Sequence, residues 1–130
     1  MPLTEYFKEK NGMGVLSTAD TEGRVNSAVY ARPHVIDQDT VAFIMSSRRS
    51  LGNVKQNPYA SFLFIEEGGR YQGKRLGLTL LREERDKRII DDFRKARSPE
   101  TYERYKNLDA TLMYFKVYES RPLIGDDGEG

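Results

Sequence analysis

The chain has 130 residues, with 21 Lys and Arg against 20 Asp and Glu, 38% hydrophobic residues and no cysteine. This length suits a single domain, and the near-neutral charge argues against a strongly basic nucleic-acid binder. The lack of cysteine excludes disulfides and thiolate metal sites and suits a cytoplasmic protein. We expect no signal peptide and no membrane span, because no apolar run approaches the ~20 residues a span needs.

Hydrophobic spacing and turn residues predict a mainly β chain with peripheral helices. In chain order the predicted elements are a helix over residues 3–11, strands over 13–19 and 24–32, a turn bracketed by Pro33 and residues 37–39, a strand over 40–46, a helix over 48–56, strands over 59–65 and 70–81, helices over 85–97 and from Pro99, and a strand over 110–119. Six strands in a chain this short favour a small closed barrel. Residues 1–125 are the predicted domain, and residues 126–130 are predicted to be a flexible acidic tail.

The third and fourth predicted strands carry apolar residues on both faces. Phe43 alternates with Ile44, and Phe62 alternates with Leu63. A half-exposed antiparallel strand would alternate with polar residues, so one face should meet the core and the other a helix or a second subunit. With the modest apolar fraction, this pattern predicts a homodimer.

One candidate binding site is the strand-to-helix junction at residues 46–54. Two hydroxyls, Ser46 and Ser47, precede Arg48 and Arg49 in the first helical turn. Arginines are electrostatically unfavourable at a helix N-terminus, and a bound phosphate would remove the conflict. The same pattern also suits a solvated junction with Ser47 as the N-cap.

A second candidate site is the segment at residues 70–75. Gly73 permits close backbone approach, Tyr71 offers a flat face, and Lys74 and Arg75 offer charge. An exposed strand with ordinary surface charge is the alternative interpretation.

Other chemical groups give little signal. His34 is the only histidine, so a His-based metal site is not predicted, and we expect His34 to be a surface or turn residue rather than a haem ligand. Glu83, Glu84 and Asp86 stand among basic residues and are predicted to form a salt-bridged helix entry. No residue is identified as a catalytic acid or base.

The order of these segments resembles a known family. The matching residues are Glu22-Gly23-Arg24, the strands at 25–30 and 41–47, Asn53-Val54, Asn57-Pro58 and the strand at 60–63, followed by residues 71–76, 114–117 and 121–123. Together they are similar to the FMN-binding split β-barrels typified by pyridoxamine 5′-phosphate oxidase, in a small prokaryotic branch. The resemblance spans residues 3–125 and implies a six-stranded antiparallel split β-barrel with Greek-key connections.

The resemblance also implies a homodimer that holds FMN at the subunit interface. Ser46, Ser47, Arg48 and Arg49 would hold the phosphate, with Asn53 beside it. The isoalloxazine ring would lie along the second strand, and further contacts would come from the 71–75 segment, including that of the partner subunit. The residues implied for the ring are Asn26, Ser27, Ala28, Val29, Tyr71, Gln72, Lys74 and Arg75.

The chain departs from the family pattern at two points. Family members commonly carry Lys where this chain has Ser50, so Arg48 or Arg49 would have to replace that charge. The chain also lacks a C-terminal Arg-x-His substrate segment, so vitamin B6 chemistry is not inherited. The sequence thus predicts a flavin-dependent oxidoreductase or redox carrier whose small-molecule substrate is unassigned.

Two alternative functions stay open at this stage. The first is a haem- or deazaflavin-binding protein on the same barrel. The second is a small nucleic-acid-binding barrel that would use Arg48, Arg49, Lys55, Lys74 and Arg75 around Tyr71, and it is disfavoured by the net charge of +1.

Overall fold

The computed structural model describes residues 1–46 and 48–125, with the backbone but not the side chain of Arg48. Ser47 and the predicted tail at 126–130 lie outside the described residues. The helices are α1 (Leu3–Glu9), α2 (Arg48–Gln56), α3 (Lys87–Arg97) and α4 (Pro99–Tyr105). The strands are β1 (Gly12–Ala19), β2 (Val25–Tyr30), β3 (His34–Asp37), β4 (Thr40–Met45), β5 (Tyr59–Glu66), β6 (Gly73–Glu84) and β7 (Thr111–Pro122).

The described strands form one antiparallel sheet in the order β2-β1-β5-β6-β7-β4-β3. The mainly β architecture with peripheral helices is as predicted, but the sheet has seven strands rather than six. The missed strand is β3, which pairs with β4 through His34↔Ala42 and Val35↔Val41 and then shifts register. Its four residues follow Pro33 and run into Asp37, which indicate a turn when read alone.

The core lies inside the curled sheet. Phe43 packs against Phe62 at a ring-centroid distance of 5.0 Å and against Phe115 at 6.1 Å. Helix α1 covers one end of this core, where Phe7 meets Phe64 at 5.2 Å. Edge-to-face and offset ring pairs of this kind add to the stabilisation from apolar burial.

Helix α3 packs on the outside of the sheet and explains the two-sided pattern of β4. Ala42 and Leu112 face outward from β4 and β7 and pack with Ile90 of α3. Asp86 caps this helix by accepting a hydrogen bond from the Arg88 backbone N–H at 2.9 Å. The predicted salt-bridged entry is also confirmed, since Arg85 pairs with Glu83 at 3.2 Å.

The outer face of β1, β2 and β5 has no such helix in the described chain. Val25 and Val29 of β2 are 72% and 70% exposed, and Met13 of β1 is 51% exposed. Leu63 of β5 lies on the same face, opposite Val15 of β1. A group of apolar side chains of this kind on one sheet face is typical of an interaction surface.

Two glycines provide a test of the packing. A Cβ at Gly14 would collide with the Phe62 ring and lie 2.8 Å from the Tyr30 carbonyl oxygen, whereas a Cβ at Gly52 in α2 would meet open space. We expect Gly14→Ala to lower the free energy of unfolding by about 1–3 kcal/mol. We expect Gly52→Ala to leave it unchanged or raise it by up to ~1 kcal/mol. Urea unfolding of both variants measures the difference, and equal effects would contradict this packing.

Candidate functional site

A cavity of about 530 Å³ opens where the two ends of the sheet approach each other. Tyr30 of β2 and Phe43 of β4 meet here edge to face, with ring centroids 5.7 Å apart. No backbone ladder joins β2 to β4 within the described sheet. Residues of β2 line one wall, β3 and β4 line the opposite wall, and α3, α4 and the loop after α4 complete it. The volume suits a small organic ligand or part of a cofactor.

Part of the predicted ring-binding segment borders this cavity. Ala28 and Val29 of β2 line it, but Asn26 and Ser27 make contacts elsewhere. The Asn26 amide donates to the Ser50 hydroxyl at 3.3 Å, which links β2 to α2. Ser27 Oγ lies 2.8 Å from Ser17 Oγ on the exposed outer face. The side chains of the segment therefore divide between the cavity, the helix contact and the outer face.

One residue of the predicted phosphate segment, Ser46, lies at the same cavity. Ser46 lines the cavity directly after β4, and α2 begins two residues later. The first turn of α2 contains no acidic residue, and Arg49 is exposed there without a carboxylate partner in the described part of the chain. The N–H groups of a helix start and a free guanidinium together suit a phosphate.

The rest of α2 is fixed to the sheet by its polar side chains. The Asn53 amide donates to Thr18 Oγ1 at 3.1 Å, and both side chains are buried. Ser50 is also fully buried and accepts the Asn26 hydrogen bond. These contacts bury the Asn53 side chain against β1, and its predicted place beside a phosphate stays a prediction. They also explain the absence of Lys at position 50, since a long cation has no room inside this contact.

The structure does not bring the 71–75 segment to this cavity. Lys74 pairs with Pro122 at one end of β7, whereas Met45, next to Ser46, pairs with Thr111 at the other end. Eleven residues of strand separate these pairs, which is about 36 Å. Within one chain the two predicted parts of the flavin site are therefore distant.

Each residue of this segment has its own surroundings. Tyr71 is exposed, with a φ of 54° in the turn before β6, and Gln72 accepts a hydrogen bond from the Glu66 backbone N–H through its carbonyl at 2.8 Å. The Lys74 ammonium lies 4.8 Å from the centroid of the Tyr6 ring. Arg75 donates to the carbonyl oxygens of Pro122, at 2.9 Å, and of Gly125. Lys74 and Arg75 thus hold α1 and the end of β7.

The cavity also contains residues that the sequence analysis did not select. His34 of β3 is partly buried rather than a surface or turn residue, and its ring packs edge to face on Phe93 at 5.2 Å. Its Nε2 lies 3.4 Å from Arg97 Nη2, and Arg97 also donates to the Arg32 carbonyl at 2.6 Å. Burial, and then the Arg97 charge, lower the pKa of His34 from 6.5 to about 4.

The spacing of residues along α3 is a sequence signal that identifies Arg94 and Arg97 as candidates. Ile90, Arg94 and Arg97 are spaced by four and three residues, so they share one face of α3. Ile90 marks that face as the buried one, and Arg94 is indeed only 3% exposed. Arginines on the apolar face of a helix indicate a polar site beneath it.

These features define a class of protein: a curled antiparallel sheet with a cofactor-sized cavity at its seam. The family model for pyridoxamine 5′-phosphate oxidase matches residues 2–119. The chain therefore belongs to the pyridoxamine 5′-phosphate oxidase family. No curated protein sequence matches it.

Solved structures share this fold. An FMN-binding protein from Syntrophomonas wolfei subsp. wolfei superposes with a TM-score of 0.76, 20% identity and coverage of 92% of this chain and 82% of that one. The haem storage protein HutZ from Vibrio cholerae gives 0.66, with 21% identity and 92% coverage of both chains. An F420 reductase gives 0.63, with 18% identity and coverage of 89% and 94%. Solved structures that share this fold are thus named for three different cofactors.

The described residues contain neither a cluster of metal ligands nor a membrane-spanning helix. No group of three or more His, Asp or Glu side chains stands close enough there to hold a metal ion. None of the helices in residues 1–46 and 48–125 is both long and apolar enough to cross a membrane.

The His34 environment predicts a pH dependence of stability. Its pKa of about 4 in the folded chain lies below the unfolded value of 6.5, so the unfolded chain takes up the proton first. Stability is therefore lost as the pH falls from about 6.5 towards about 4. Between about pH 7.5 and about pH 5 the loss should be about 2 kcal/mol. Urea unfolding at both pH values should show this loss in the wild type and a smaller one in His34→Gln; identical losses would contradict the buried environment.

Proposed function

We propose that the protein binds FMN and acts as a flavin-dependent oxidoreductase or redox carrier. The observation that carries the proposal is that Ala28, Val29 and Ser46 line one cavity and that α2 begins two residues after Ser46. Family membership and the FMN-binding neighbour of known structure support it. FMN, when bound, would supply the electron or hydride transfer, and the protein would supply binding, orientation and electrostatics.

The described residues fit FMN in two respects. The first turn of α2 offers backbone N–H groups and the Arg49 guanidinium to a phosphate. Ala28 and Val29 offer an apolar wall with backbone groups at the open edge of β2, which is an end strand of the sheet. A flat ring with polar edges, such as an isoalloxazine, suits that combination.

The haem alternative is less well supported by the same cavity. A haem iron needs an axial ligand, and His34 is the only histidine of the chain. Its Nε2 lies beside the Arg97 guanidinium, and its ring is packed on Phe93. A cation next to the ligand nitrogen disfavours coordination of a positively charged metal. A deazaflavin would occupy the same wall as FMN. Identification of the bound molecule distinguishes these two alternatives.

The identity of the cofactor can be measured directly. We expect freshly purified or FMN-reconstituted protein to show flavin absorbance and to release FMN on denaturation, identified by mass spectrometry. A Soret band or a released deazaflavin would instead support the corresponding alternative and contradict FMN as the main ligand.

Arg49 is predicted to bind the FMN phosphate. Arg49→Ala should weaken FMN binding about tenfold to a hundredfold, the loss expected for one charge-assisted pair, with little effect on riboflavin, which has no phosphate. Fluorescence titration with both ligands measures this. Arg88→Ala is the matched control, because Arg88 is exposed on α3 away from the cavity. Equal losses for the two ligands would show that Arg49 acts through the fold.

We also propose that the protein is a cytoplasmic homodimer that buries the outer face of β1, β2 and β5. The apolar side chains Met13, Val25 and Val29 are exposed on this face, and no helix of the described chain covers it. Arg75 lies on the same face, opposite Leu63. A second copy packed here would bring its own 71–75 segment towards the first copy's β2, which one chain cannot do alone. The flavin would then lie at the subunit interface.

Sedimentation tests the dimer. We expect a species of twice the chain mass of 15.0 kDa at micromolar concentration. Leu63→Glu should shift it to the monomer because it places a charge in the apolar face. Ile36→Glu is the control, since Ile36 is exposed on β3, which is not one of the three strands of the proposed interface. A wild-type chain that sediments as a monomer would overturn the proposal.

A further inference from the structure

Tyr30 of β2 extends from the cavity to helix α2. The residue lines the cavity, and its ring meets Phe43 edge to face. Its hydroxyl oxygen, by contrast, is buried and has no hydrogen-bond partner within the described part of the chain. The polar group that acts on this hydroxyl is the side chain of Ser50, in the first turn of α2. Tyr30 thus connects the ligand cavity to the turn that we propose for the phosphate.

The Tyr30 hydroxyl is a hydrogen-bond donor that this structure does not use. Burial raises its pKa, and the Ser50 hydroxyl opposes that shift to a smaller extent, so the group stays protonated at neutral pH. A buried O–H has lost its hydrogen bonds to water, and without an acceptor it gains none in return. The protein would therefore be stabilised if an acceptor came within bonding distance.

Ser50 is the residue that can accept this hydrogen bond. It is fully buried, and its Oγ already accepts from the Asn26 amide at 3.3 Å. A hydroxyl oxygen accepts up to two hydrogen bonds. Asn26 and Tyr30 are four residues apart on β2, so their side chains project from the same face of that strand. Two polar side chains of β2 thus act on one hydroxyl of α2.

The following turn of α2 is held more completely. The Asn53 amide donates to Thr18 Oγ1 of β1 at 3.1 Å, and both side chains are buried. One turn earlier, at Ser50, the contact with Tyr30 is incomplete. The first turn is therefore the part of α2 that can still approach β2.

The two sides of this contact belong to the two elements that would hold FMN. The first turn of α2 would meet the phosphate, and Ala28 and Val29 of β2 would meet the ring. A ligand held by both elements favours the arrangement in which they lie closer together. The hydrogen bond from Tyr30 to Ser50 would then form in the complex and not before it. An interaction made only in the bound state adds to the affinity.

We propose that Tyr30 is a positioning residue whose hydroxyl donates to Ser50 Oγ when FMN binds and so holds the first turn of α2 against the phosphate. This proposal rests on the proposed function. It makes Tyr30 a determinant of selectivity for FMN over riboflavin, because riboflavin has no phosphate with which to hold that turn.

Tyr30→Phe tests the selectivity, since it removes the hydroxyl and keeps the ring against Phe43. We expect the variant to bind FMN about threefold to tenfold more weakly, the loss expected for one neutral hydrogen bond, and to bind riboflavin with unchanged affinity. Fluorescence titration with both flavins measures this. Tyr102→Phe is the matched control, because Tyr102 lies on α4 outside the cavity lining, with Lys95 and Lys106 beside its ring. An unchanged FMN affinity in Tyr30→Phe, or equal losses for the two flavins, would overturn the proposal.

The stability of the protein without flavin distinguishes a positioning role from a structural one. Because the Tyr30 hydroxyl makes no hydrogen bond before the ligand binds, its removal should leave the urea midpoint of the flavin-free protein unchanged or raise it. A structural hydroxyl would give the opposite result. A lower midpoint in Tyr30→Phe would therefore overturn the proposal.

A double-variant cycle with Ser50→Ala shows whether Tyr30 acts through Ser50. In the Ser50→Ala background, Tyr30→Phe should cause no further loss of FMN affinity, because the acceptor is already gone. A further loss would mean that the hydroxyl acts on the ligand itself, and it would overturn the role assigned to Tyr30. A wild type that binds no FMN would overturn the flavin function and this proposal together. FMN binding to the wild type without a selective effect of Tyr30→Phe would overturn this proposal alone.

Discussion

Tyr30 and Phe43 meet edge to face at 5.7 Å, and this ring contact joins β2 to β4 where the described sheet has no backbone ladder. Backbone pairing between these strands would have closed the barrel and filled the seam. Because only side chains meet there, the sheet curls enough to enclose the phenylalanine core and still leaves a cavity beside it. Ser46 just before α2, the end of β2 and the cationic face of α3 all line that cavity.

Local sequence patterns determine much of the fold. The bounds of α2 follow from the inward spacing of Leu51 and Val54 and from Asn57-Pro58, which stops the helix. Ser98 followed by Pro99 marks the start of α4. There Ser98 Oγ accepts a hydrogen bond from the Thr101 N–H at 3.0 Å. The alternation in β4 correctly indicated cover on both faces. Strand β3 could not be predicted in this way, since four residues flanked by turn formers become a strand only by pairing with β4.

The site was harder to predict than the fold because its parts are distant in sequence. Arg32, His34 and Arg97 meet only when α3 packs across β3 and β4, and no local motif records that contact. Burial also reverses the expectation for His34: burial, and then the Arg97 charge, favours its neutral form, and its ring packs on Phe93. The charges of Lys74 and Arg75 looked equally available in the sequence, but within the chain they contact the Tyr6 ring and the backbone near the end of β7.

The unpaired outer edge of β2 has a consequence for evolution. An end strand presents backbone N–H and C=O groups that any residue carries, so contacts made through them are insensitive to substitution of the side chain. A planar ligand bound along this edge would leave little mark on the sequence, and mutations could accumulate there without altering its recognition. Selectivity among planar ligands would then depend on the side chains that line the opposite wall of the cavity.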